Sequence, residues 1–136
     1  MKDTELKKKK AEALYSVYKK GLEEGMFDSL FGAGRYVAAQ PAPCFYISAR
    51  QASLIIGKIQ ARYSLIGFNP SQRRMAWRLW ADYRQYIADH PGNTLSRERV
   101  LEILVDRPAP EFYISGDGAR KLLRQEIMKV RRLRGW

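Results

Sequence analysis

Apolar residues recur at helical spacing through most of the chain, and the breaks in that pattern fall at proline, glycine and capping residues. Leu6, Ala13, Leu14, Val17 and Tyr18 predict a helix over residues 4–20, ended by Gly21 and Gly25. Asp28 or Ser29 can cap a shorter helix to residue 40, although Gly32 and Gly34 weaken it. Ser48 with Gln51 forms a capping-box pattern that opens a third helix over residues 48–65. In the second half Asn69-Pro70-Ser71 places an N-cap before proline, which opens a helix over residues 70–88. Its apolar face is Met75, Ala76, Leu79, Trp80, Tyr83, Tyr86 and Ile87. Leu95 and Val100 staple a cap at Ser96 for a short helix to residue 105. Ser115 or Asp117 caps a last helix to residue 134.

Between each short helix and the following long one lies a segment in which prolines forbid helix and hold the backbone extended. The segment is nearly the same both times: Pro41-Ala42-Pro43-Cys44-Phe45-Tyr46-Ile47-Ser48 and Pro108-Ala109-Pro110-Glu111-Phe112-Tyr113-Ile114-Ser115. At the same offset Ala33 falls on Val100, Val37 on Leu104, Ala52 on Ala119 and Ile56 on Leu123. The expected fold is therefore all-α, an internal tandem repeat, or pseudo-dimer, of three-helix units spanning 1–68 and 69–136 and packed as one domain. Each half alone is near the size where a core is marginal. The two PAPxFYIS strips are expected to pair antiparallel. Period-two alternation then buries Phe45, Phe112, Ile47 and Ile114 and turns Tyr46 and Tyr113 outward, where they could stack on bases.

This strip resembles one that precedes a helix in small basic proteins of bacterial prophages and related mobile elements, over roughly 20 residues in each copy. The resemblance implies a bacterial or phage cytoplasm and a role in handling DNA. It brings no catalytic residue and no cofactor.

Charge narrows the choice of partner. The net charge is +11, and the halves share it: 11 basic against 6 acidic residues in 1–68, 14 against 8 in 69–136. Such an imbalance points to a polyanion or an acidic surface. The last helix carries the clearest basic face: Arg120, Arg124 and Arg131 fall within about 40° of one another, with Lys121 and Arg132 on the adjoining arc. Arginine suits phosphate and base recognition because its fork donates two parallel hydrogen bonds. The helix after Pro70 adds Arg73, Arg74 and Arg78 around Trp77, either a stacking platform or a cation-π cover over the core. In the first half Arg50, Lys58 and Arg62 are fewer and more scattered, so the second half is the favoured binding half. The two basic helices are expected to relate by near-twofold symmetry and to share one face. Lys7 to Lys10 read as a solvated helix face.

Other chemistries have little support in the sequence. Cys44 is the only cysteine and His90 the only histidine, which leaves no metal-ligand spacing and no positioned nucleophile with its base. Gly32-Ala33-Gly34 lacks both the third glycine of a dinucleotide loop and a following GK[ST]. No apolar run reaches the roughly 20 residues that span a bilayer. The expectation is a non-enzymatic DNA-binding accessory or regulatory protein without cofactor, metal or membrane partner. RNA as ligand, a structural role on an acidic protein partner, and self-association stay open.

Overall fold

The computed structural model describes residues 3–62 and 64–135, and its described residues form six helices and no strands. They are α1 (Asp3–Glu23), α2 (Leu30–Ala38), α3 (Ala49–Gln60), α4 (Pro70–Asp89), α5 (Arg97–Val105) and α6 (Gly116–Leu133). Side-chain caps open five of them, each satisfying a backbone N–H that has no partner within its helix. Ser29, Ser48, Ser96 and Ser115 accept from the N–H groups of Gly32, Gln51, Arg99 and Gly118. Asn69 and Gln72 form a reciprocal capping box, with Pro70 at the first helical position.

Two helix ends differ from the sequence expectation. Gly21 does not end α1, which runs on to Glu23 before Gly25 adopts a φ of 67°. A Cβ on Gly21 would lie 2.8 Å from the rings of both Phe27 and Tyr36, so this glycine admits two aromatic rings against the helix. At the other boundary α3 stops at Gln60 rather than near residue 65, because Arg62 takes the left-handed conformation at φ 61°.

The strips pair at one point. Ala42 and Ala109 exchange both backbone hydrogen bonds at 2.9 Å, an isolated antiparallel bridge. Beyond it the N–H of Phe45 donates to the Val105 carbonyl at 3.0 Å, and the N–H of Phe112 to the Ala38 carbonyl at 3.3 Å. Phe45 stacks on Tyr113 with ring centroids 5.8 Å apart, and Phe112 on Tyr46 at 6.1 Å. Each of these interactions in the first strip has its counterpart 67 positions along the chain.

Period-two alternation does not survive beyond the phenylalanines. Tyr46 and Tyr113 have φ of 54° and 52°, which turns the extended path sharply at each tyrosine. Phe45 and Phe112 are buried as expected, but Ile47 and Ile114 are only half-buried. Tyr113 does not face outward. It is 7% exposed, and Tyr46 is half-buried against the same core.

Packing crosses the midpoint of the chain. The last helix, α6, lies on α2 and α1, while α3 lies on α5 and α4. The core joins both sets: Ala33 and Val37 of α2, Ala119 and Leu123 of α6, Ala52 and Ile56 of α3, and Val100, Leu101 and Leu104 of α5 are all buried around the two phenylalanines. The α2–α6 crossing is close enough that a Cβ on Gly34 would overlap the carbonyl oxygen of Gly116 and crowd the backbone of Arg120. Where α3 meets α5, the Arg97 guanidinium lies against Gly57, its carbon 3.5 Å from where a Cβ there would stand.

Candidate nucleic-acid interface

The basic side chains divide into those already held within the protein and those without a partner. Arg74 makes a bidentate pair with Glu111, Nε to Oε2 at 3.0 Å and Nη2 to Oε1 at 2.8 Å, and this hydrogen bonding raises its already high pKa. Glu111 occupies the position that Cys44 holds in the first strip, so the pair ties α4 to the second strip alone. Arg78 pairs with Asp82 one turn along α4. Arg120 donates to Asp117 at 2.6 Å, and Lys121 lies 3.5 Å from the same carboxylate. The hydrogen bond from Arg120 holds the Asp117 carboxyl below its usual range, helped by the charges of Arg120 and Lys121. The Nε of Arg120 is buried without a partner where α6 crosses α2, so this arginine is wedged into the packing.

The second half of α6 is different. Arg124, Arg131 and Arg132 are exposed, and none has an ion pair or side-chain hydrogen bond among the described residues. Leu123 on the opposite side is buried, and Leu122 packs against the core. The basic face expected at Arg120, Arg124 and Arg131 is thus neutralised at its start and open toward its end.

A second cluster joins both halves of the chain. Arg62, just beyond α3, meets Arg73 and Trp77 of α4 around a hollow of about 550 Å³, closed by Ile59, Leu65 and Ile66. Trp77 is 54% exposed and Ile66 84%. Arg73 anchors one edge by donating from Nε to the Phe68 carbonyl at 3.0 Å. Among the described residues no acidic side chain lines the hollow. Trp80 rather than Trp77 packs against the core; it is half-buried and carries Arg84 5.7 Å from its ring. The signal that could have located this cluster is the run Ser64-Leu65-Ile66, which places apolar side chains between two capped helices.

Residue-by-residue correspondence between the basic helices is absent. Counting 67 positions on from Arg50, Lys58 and Arg62 reaches Asp117, Gln125 and Lys129, so only one of the three meets a cation. Arg50 is exposed, and the Lys58 ammonium lies 5.4 Å from the centroid of the Phe68 ring.

Tyr46 and Tyr113 do not serve as outward stacking platforms, because their rings already stack on Phe112 and Phe45. Burial pushes both phenols up to about 12, with Cys44 adding to the effect on Tyr46 and Glu111 to that on Tyr113. An unfolded phenol ionises near pH 10, so the native state holds these protons after the unfolded chain has lost them. The stability this contributes is complete below about pH 10 and is lost as pH rises through about 12. Denaturant titrations at pH 9 and pH 11 should give a smaller loss for the Tyr46→Phe, Tyr113→Phe double variant than for the parent. An equal loss would show that these phenols do not titrate late.

Among the described residues no group of three His, Cys, Asp or Glu side chains is placed to hold a metal ion, and no helix is long and apolar enough to cross a membrane. Comparison with protein-family models, with curated proteins and with solved structures finds no match to the chain.

Proposed function

We propose that the protein binds nucleic acid without catalysing a reaction, with duplex DNA favoured over RNA, as an accessory or regulatory factor in a bacterial or phage-infected cytoplasm. The observation that carries the reading is the open half of α6, where Arg124, Arg131 and Arg132 project from a helix whose other side is packed. Unpaired guanidiniums on a rigid helix can meet phosphates without first breaking internal ion pairs. Arg62, Arg73 and Trp77 form a second contact zone, where an aromatic face lies between two cations. No catalytic or cofactor-binding role is assigned to any residue.

The duplicated strip supports a further part of this reading: the chain is an internal pseudo-dimer in which the third helix of each repeat is exchanged. Its support is the set of reciprocal pairings at a spacing of 67, namely the Ala42–Ala109 bridge, the two bonds into the ends of α2 and α5, and the two crossed ring stacks.

Mobility-shift titrations with random duplex, single-stranded DNA and RNA test the binding. Three phosphate contacts should make duplex affinity fall about 40-fold between 50 and 200 mM salt. Failure to bind any of the three at about 50 mM, where phosphate contacts are strongest, would overturn the proposal. It would favour the second reading, an assembly protein docking on an acidic partner, for which exposed Ile66 and Trp77 beside Arg62 and Arg73 provide the surface.

A further inference from the structure

A cleft of about 770 Å³ opens between α1, α3 and α4, a volume in the range of small-molecule sites. Its apolar lining comes from Leu6, Ile47, Leu54, Ile55, Phe68 and Met75. Among the described residues its charged lining is of one sign: Lys7 and Lys10 on α1, Lys58 on α3 and Arg97 on α5. Carboxylates line the adjoining hollow, which shares Leu6, Ile47, Ser48, Gln51 and Leu54 with the cleft and carries Glu98, Glu102 and Asp106, but among the described residues none pairs with Lys10 or Arg97. Lys10 is half-buried and its ammonium has no ion pair or hydrogen bond among the described residues. Burial also pulls its pKa below the usual lysine value. Arg97 is fixed by the Ser53 hydroxyl at 2.9 Å and the Gln60 side-chain oxygen at 3.0 Å, both neutral, so its positive charge remains. The first turn of α3, with Ser48 and Gln51 at the rim, adds the positive end of a helix dipole.

We propose that this cleft binds a small organic anion with an apolar body, specifically a carboxylate-headed amphiphile, with its head at Lys10 and its tail along Leu54, Ile55 and Met75. A desolvated ammonium without a counter-ion is stabilised by an anion brought to it, and the apolar wall beside it favours a ligand whose remainder is hydrocarbon. A phosphodiester strand fits poorly, because its charges repeat along its length and it would leave the apolar walls uncovered. The site is separate from the arginines of α6 and from the Trp77 hollow, so it stands whether or not the protein binds nucleic acid.

Decanoate is a suitable probe, with decan-1-ol to remove the charge and butyrate to remove the tail. Calorimetric titration of the full chain should give a dissociation constant for decanoate below about 1 mM, with both controls at least about tenfold weaker. Two variants should each weaken decanoate at least about tenfold while leaving helicity unchanged: Lys10→Met, which removes the charge, and Leu54→Asp, which places a carboxylate at an exposed position in the wall. Amide shifts in nuclear magnetic resonance spectra should change at α1, α3 and α4 and not at the end of α6. The proposal is overturned if the dissociation constant for decanoate is above about 1 mM. It is equally overturned if decan-1-ol binds as well as decanoate, or if both variants bind like the parent.

Discussion

Replacing Phe112 with alanine is expected to cost about 3–5 kcal/mol of stability, the range for a large aromatic lost from a packed core. Phe112 is among the largest fully buried side chains. Its ring stacks on Tyr46 of the other strip, and its backbone holds the end of α2 through the Ala38 carbonyl. The cavity would open where both strips and α2 converge. Urea denaturation should give a lower midpoint at an unchanged slope, with a fall in melting temperature on the order of 10–20 °C. A loss under about 1 kcal/mol would mean that the strips are not the centre of the core.

The second large effect concerns binding. Replacing Arg124, Arg131 and Arg132 together with alanine should weaken duplex DNA binding at least about tenfold near 100 mM salt. It should also flatten the log-log salt dependence by up to about 2.7 units, if each meets a phosphate. Thermal stability should change by less than about 0.5 kcal/mol, because these side chains are exposed and unpaired among the described residues. Arg120 is left intact because its pair with Asp117 and its buried Nε give it a structural role that would confuse the measurement. Unchanged affinity and salt slope in the triple variant would place the contact surface elsewhere, with Arg62, Arg73 and Trp77 the next to replace.

Local signals in the sequence were the most legible. The caps at Ser29, Ser48, Asn69, Ser96 and Ser115 each depend on a side chain and a backbone group three residues apart, so spacing reveals Ser48, Asn69 and Ser96 and narrows the other two to Asp28 or Ser29 and Ser115 or Asp117. The pairing of the strips could also be anticipated, because two extended segments without helical bonds need partners for their backbone groups. The left-handed turns at Tyr46 and Tyr113 could not, since bulky residues seldom adopt them and nothing nearby marks the turn. That single conformational choice leaves the phenylalanines buried but draws the tyrosines toward the core and leaves Ile47 and Ile114 only half-buried. The basic face on α6 was legible as periodicity, but its loss of Arg120 to Asp117 depends on rotamers and on the close approach of α2. The meeting of Arg62 with Arg73 and Trp77 depends on where the connection after α3 bends. The cleft beneath Lys10 is tertiary throughout, and along the sequence Lys10 is indistinguishable from the exposed Lys7, Lys8 and Lys9.

The crossed packing of α3 and α6 bears on how the chain matures on the ribosome. Synthesis delivers α3 before α4 and α5, the helices that cover its Ala52, Ile55 and Ile56 stripe. It delivers α1 and α2 long before α6, which covers them. Neither bundle can therefore close as it emerges, and the nascent first half carries two uncovered apolar stripes at once. Of its own helices α2 and α3 are amphipathic and capped and can form early, yet the contacts that fix them await the other half. Folding is then committed only once α6 has been made. Until that point the exposed stripes are the surfaces on which a chaperone or a neighbouring nascent chain would act.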